Sequence, residues 1–194
     1  MVAPNVKSKT KKEDRDLWAT PNEIYNGALR YFVGKCLLSP QALYVGDVCA
    51  SKHNAKHECF WTEADDALSQ DWVNFATSKR ANAVLWCNPP YSRGSKEQFI
   101  AKAIDFAERI KLPGAVIMLL PNDTSAKWFS EVVKNAKAVV FICNGRINFI
   151  NNATGERGEG NNAGSILALF APKETNSIAR TLYVTREHLE KMGA

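Results

Sequence analysis

Apolar runs of strand length recur along the chain at residues 42–45, 58–61, 83–87, 115–120, 138–143, 165–170 and 181–184. Most are continuous rather than alternating, which predicts strands covered on both faces. Between them lie patterns of helical period. The clearest spans residues 96–110, where Phe99, Ala103, Phe106 and Ile110 share one face and Ser95 with Gln98 reads as a capping box. A second helix is predicted from Pro21 to about Leu38, with Thr20 as N-cap, Pro21 as first helical residue and Glu23 three residues after the cap. A third begins near Thr124 and carries Trp128, Phe129 and Val132. Strands alternating with helices predict an α/β fold with a mainly parallel, twisted sheet flanked by helices. In such sheets ligands bind beyond the carboxyl ends of the strands, so chemistry is expected there.

No internal repeat or linker divides the chain, and 194 residues with 45% hydrophobic content suit one core. The reading is therefore a single domain over residues 16–194 behind a tail, 1–15, that is disordered and basic. Lys7, Lys9, Lys11, Lys12 and Arg15 give the tail its charge, which either solubilises the chain or meets phosphates. No run of eighteen apolar residues occurs and the N-terminal stretch is polar, so a cytoplasmic protein without a membrane span is expected. The five cysteines show no CxxC or Cys/His spacing, and His53, His57 and His188 share no metal-like spacing, so no metal is expected. A net charge of +5 favours a polyanionic partner, though only weakly.

The candidate chemistry lies in Asn88-Pro89-Pro90-Tyr91, a tight loop directly after the buried run 83–87. An ordinary turn would also use Asn and Pro. It would not require the aromatic or the position at a strand's carboxyl end. A planar amine whose lone pair is delocalised into a ring is a poor nucleophile. Two acceptors, the Asn88 side-chain oxygen and the Pro89 carbonyl, would hold both its N–H groups and build negative potential against the charge that develops on nitrogen. The two prolines fix the loop's φ angles, and Tyr91 offers a flat face on which a base could stack.

These residues resemble the phage-type DNA N-6-adenine methyltransferases, often called the phage Dam family. The resemblance runs through Asp16-Leu17-Trp18-Ala19-Thr20-Pro21, Gly46-Asp47-Val48-Cys49-Ala50-Ser51 with Asn54, Asp66-Ala67-Leu68 and Asp71-Trp72. It continues through Asn88 to Tyr91, Leu120-Pro121 and Gly145-Arg146-Ile147-Asn148-Phe149, roughly residues 16–172. It implies a Rossmann-like methyltransferase fold, S-adenosylmethionine as cofactor, adenine N6 in double-stranded DNA as acceptor and a phage or prophage origin in a bacterial host cell. By the same resemblance Asn88, Pro89, Pro90 and Tyr91 are catalytic. Thr20, Pro21, Asp47, Cys49, Ala50, Ser51, Asp66 and Ala67 line the cofactor site. Because a base inside a duplex is out of reach, the adenine would be flipped out, with Tyr91 replacing part of its lost stacking.

Alternatives remain at particular positions. Asp47 would also serve as a strand-end cap, and Glu63 and Asp65 compete with Asp66 for the cofactor's adenine or ribose. The glycine-rich turn usual after the first strand is reduced to Gly46. Residues 144–164 read as a long surface loop which, with residues 92–95, would meet DNA, Arg146 and Arg157 being candidates for phosphate or guanine contacts. The same Asn-Pro-Pro-Tyr chemistry would suit RNA amines or protein glutamine, and a non-catalytic DNA-binding module on the same fold is the reading from another class. No motif specifies a recognition sequence or an oligomeric state.

Overall fold

The computed structural model describes residues 18–90, 94–151, 154–158, 163–174 and 177–194. The basic tail, Tyr91, residues 92 and 93 and parts of the 144–164 loop lie outside the described residues. In chain order the elements are β1 (Trp18–Ala19), α1 (Asn22–Gly34), β2 (Leu43–Asp47), α2 (Trp72–Lys79), β3 (Ala83–Cys87), α3 (Ser95–Arg109) and β4 (Gly114–Pro121). They continue as α4 (Lys127–Asn135), β5 (Ala138–Cys143), β6 (Ile150–Asn151), β7 (Ser165–Phe170), β8 (Arg180–Thr185) and α5 (Arg186–Gly193).

Six strands form the main sheet in the order β2-β3-β4-β7-β5-β8, and β7 alone runs antiparallel to its neighbours. The continuous apolar runs have the expected cause, burial on two faces. Leu85, Cys87, Val116, Met118, Leu120, Ile166, Ala168 and Phe170 pack under α2, α3 and α4. The alternate residues Val84, Trp86, Ala115, Ile117, Leu119, Leu167 and Leu169 pack under α1 and α5. The layers are helix, sheet, helix, the mainly parallel α/β architecture expected.

Three local expectations are corrected. The run 58–61 forms no strand: Phe60 makes a single parallel bridge to Asp47 at the sheet edge. The first helix ends at Gly34, because Cys36 turns left-handed (φ 56) and the N–H groups of Cys36 and Leu37 return to Val33 and Phe32. That is a Schellman ending with cysteine where glycine is usual, so sequence carried no stop signal. Neither capping box forms: α1 is capped by Pro21 and α3 by a left-handed Gly94, both without a side-chain bond. Ser95 is already helical. Thr20 lies one residue outside the cap, with its hydroxyl turned elsewhere.

Helices α1 and α5 pack closely. Cβ atoms on Gly27 and Gly193 would collide with the main-chain carbonyls of Leu189 and Glu23, so glycine permits this approach. Asn26 and Arg30 donate to the carbonyls of Gly193, Met192 and Ala194, which fastens the C-terminal turn to α1. The N-terminal end of α1 is thereby held over the carboxyl ends of β2 and β3.

Candidate active site at the strand ends

Asp47 ends β2 opposite Trp86 of β3, and the Val48 N–H donates to the Trp86 carbonyl. The loop after β2 and the loop containing Asn88 therefore leave the sheet side by side. Gly46 serves packing, since the Phe75 ring lies 2.7 Å from where its Cβ would stand. The Asp47 carboxylate is 3% exposed and accepts from the N–H groups of Cys49 (3.2 Å) and Lys56 (3.0 Å). Burial pushes its pKa up from 3.8 to about 6, against the opposing pull of those two N–H groups and the Lys56 charge. Asp47 thus folds the 47–56 loop onto itself.

The turn through Cys49, Ala50 and Ser51 spends its N–H groups internally. Cys49 donates to Asp47, Ala50 to the Trp61 carbonyl (2.9 Å) and Ser51 to Asn54 Oδ1 (2.6 Å). These residues can line a ligand with their side chains and carbonyls, whereas their amides are already committed.

The acidic turn separates its three candidates. Asp65 caps the turn, accepting from the Thr62 N–H (2.8 Å) and hydroxyl (2.7 Å), and these bonds lower its pKa. Asp66 stands in a left-handed conformation (φ 46), is exposed, and has no hydrogen-bond or ion-pair partner for its carboxylate among the described residues. Glu63 begins the same turn and is also exposed. Ala67 is buried, and its carbonyl accepts from the Trp72 indole N–H (2.7 Å), tying this turn to α2.

Asn88 is half-buried beyond β3, between the buried Cys87 and the buried Pro89, with Pro90 half-buried behind it. Its Nδ2 donates to Thr20 Oγ1 (3.3 Å), whereas its Oδ1 is buried from solvent and has no donor among the described residues. A buried acceptor left without a partner costs about 1–3 kcal/mol. Tyr91 lies outside the described residues. Pro21 is buried beside Thr20 as the α1 cap.

Arg157 forms an ion pair with Glu23 near the start of α1, and beside it Lys56 Nζ donates to Asn22 Oδ1 (2.8 Å). The sequence reading missed Asn22, Glu23, Lys56 and Tyr25. Tyr25 stacks on Tyr44 with centroids 4.1 Å apart, and burial, then Asp47, raises its pKa. Only the charges of Glu23 and Lys56 hinted at these contacts. Arg146 is exposed in the turn after β5, where Asn144 and Gly145 are both left-handed. That turn is remote in sequence from the Asn88 loop, and Arg186 steadies it by donating to the Arg146 carbonyl (3.4 Å). Ile150–Asn151 pairs with Trp18–Ala19, and Gly158 packs on the Trp18 ring, so part of the long loop is a hairpin lying against the segment before Thr20. Among the described residues no cluster of three or more His, Cys, Asp and Glu could hold a metal ion, and no helix is long and apolar enough to cross a membrane.

A family model described as DNA N-6-adenine-methyltransferase (Dam) matches residues 7–194. The DNA N-6-adenine-methyltransferase of Haemophilus phage HP1 (strain HP1c1) is 38% identical over 187 residues, covering 96% of each chain. That of Escherichia phage T1 is 30% identical over 184 residues, covering 88% of this chain and 68% of the relative. In fold, the chain is similar to a Listeria monocytogenes protein assigned to the class I S-adenosylmethionine-dependent methyltransferases (TM-score 0.51, 12% identity, 90% of this chain and 67% of that one).

Proposed function

The chain belongs to the DNA N-6-adenine-methyltransferase (Dam) family, and on that premise we propose how its strand-end site acts on an adenine in double-stranded DNA. The reaction is transfer of a methyl group from S-adenosylmethionine to N6 of adenine in DNA, on a class I methyltransferase fold, and the relatives that share the family are phage enzymes.

The residues present fit the cofactor. The exposed Asp66 carboxylate, with Glu63 beside it, offers acceptors for hydroxyl and amine donors. Asp47 shapes the neighbouring loop, and Cys49, Ala50, Ser51 and Ala67 contribute surface. Thr20 and Pro21 close the site from the α1 side. When bound, S-adenosylmethionine supplies an electrophilic methyl group on a sulfonium centre.

The chain's own part is to direct the nucleophile. Asn88 Oδ1 accepts one N–H of the flipped adenine's amino group and the Pro89 carbonyl accepts the other, which favours a tetrahedral nitrogen with its lone pair aimed at the methyl group. Asn88 is neutral and acts as an acceptor, not as a base. Pro89 and Pro90 keep both acceptors in place before the base arrives. Tyr91 takes the stacking role on the extruded base, and Arg146 and Arg157 meet the phosphate backbone, Arg157 by leaving Glu23.

The observation that carries this reading is the Oδ1 of Asn88, buried at the strand end and without a donor among the described residues. Labelled methyl transfer onto duplex DNA, RNA and protein, run side by side, tests it: counts on duplex DNA alone are expected, and counts on RNA or protein with none on DNA would overturn the choice of acceptor.

A further inference from the structure

We infer that the Lys56 ammonium binds the carboxylate at the methionine end of S-adenosylmethionine. This deepens the proposed function and rests on the cofactor site described there. The cofactor differs chemically at its two ends: ribose hydroxyls and an adenine amine stand at one, an amino-acid carboxylate at the other. The exposed carboxylates of Glu63 and Asp66 offer acceptors to the first end. The second end calls for a cation, and the fold brings Lys56 to the opposite wall of the site.

Lys56 closes the loop that Asp47 folds onto itself, its main-chain N–H donating to Asp47 Oδ2 at 3.0 Å. Its half-buried side chain then crosses to the start of α1, where Nζ donates to Asn22 Oδ1 at 2.8 Å in a bond that is exposed to solvent. Asn22 directly follows Thr20 and Pro21, and Thr20 touches Asn88. The ammonium therefore stands between two segments that line the cofactor site. An ammonium has three donors, and Asn22 takes one of them as a neutral acceptor. Among the described residues Lys56 forms no ion pair. The carboxylates near it are engaged elsewhere, Glu23 with Arg157 and Asp47 with the N–H groups of Cys49 and Lys56. At the same place Pro21 caps α1 without a side-chain bond, so the free N–H groups of the first turn add positive potential. Lys52, the other lysine of the loop, is exposed and acts on Asp65 instead.

Titration of the apoprotein with S-adenosylmethionine and with its decarboxylated analogue, which lacks only that carboxylate, tests the assignment. Lys56→Met keeps the length of the side chain and removes its charge. It is expected to weaken S-adenosylmethionine binding about tenfold or more and to leave binding of the analogue within about threefold. Lys56→Arg should recover most of the affinity. Asn22→Ala removes the clasp and leaves the ammonium, and should cost the cofactor less than about threefold. Three results would overturn the proposal. Lys56→Met could bind S-adenosylmethionine as the native protein does. It could lose both ligands equally, or no more than Asn22→Ala loses, which would make Lys56 a structural clasp. It could lose affinity for duplex DNA with cofactor affinity intact, which would make Lys56 a phosphate contact. In the first and third cases a native protein that binds S-adenosylmethionine leaves the cofactor site standing and removes only Lys56. A native protein that binds neither ligand would show the cofactor site itself to be misread.

Discussion

Asp47 keeps a carboxyl group almost wholly out of water, and burial raises its pKa to about 6 from 3.8 despite two N–H donors and nearby Lys56. Between those values the folded protein binds more protons than the unfolded chain. The stability contributed by this group is thus complete below about pH 3.8 and is lost as pH rises through about 6. A loss of about 2 kcal/mol is expected between about pH 4.5 and about pH 6.5. Urea unfolding of the native protein and of Asp47→Asn at both pH values isolates it: the difference between the two proteins should shift by that amount, and parallel pH dependence would show the carboxyl to be unperturbed. At the same scale, Asp66→Ala should weaken S-adenosylmethionine binding, since its exposed carboxylate has no hydrogen-bond or ion-pair partner among the described residues. Asp65→Ala should chiefly loosen the turn it caps. Titration of both variants decides between them, and a larger effect on cofactor affinity from Asp65 would reverse the assignment.

The α1–α5 contact is where an element carries the site. Replacing Gly193 by Ala would gain up to about 1 kcal/mol of helix propensity but would drive a methyl group into the Glu23 carbonyl. Main chain cannot rotate aside, and overpacking of this kind costs about 1–3 kcal/mol, so net destabilisation is expected. Gly34→Ala, with nothing within 4 Å of the added carbon, is the matched control and should be neutral or stabilising. Thermal unfolding of both variants checks the pair, and a Gly193→Ala protein as stable as Gly34→Ala would refute the close packing. Elements of this kind were unevenly legible in sequence. The runs 83–87, 138–143 and 165–170 became strands with those bounds, and nearly all of their residues are buried between the two helical layers. The run 58–61 looked alike, yet it lies outside β2 and forms one isolated bridge, Phe60 to Asp47, through the main chain of Cys59 and Trp61. Helix ends were misread where an unusual residue took the left-handed position, as at Cys36. Asn88 was legible because its loop is local. The partner of Thr20 was not, because it lies 68 residues away and only the folded sheet brings them together.

At the scale of the whole molecule, the parallel strands deliver Asp47 and Asn88 to one end of the sheet. The α1–α5 pair then sets Thr20 over Asn88, and Arg157 pins the hairpin of the long loop to Glu23 beside them. A net charge of +5 gives the whole a general attraction to nucleic acid. In the proposed mechanism the chemistry converges on one acceptor oxygen, that of Asn88, and losing an interaction of this kind costs about 10²- to 10³-fold in rate. The most direct test is to map N6-methyladenine in DNA from cells expressing the native protein or Asn88→Ala, with equal soluble protein and equal S-adenosylmethionine affinity verified for the two. The account predicts N6-methyladenine at a recurring sequence with the native protein and its near-complete loss in the variant. Unmodified adenine with the native protein, or equal methylation by both, would contradict it.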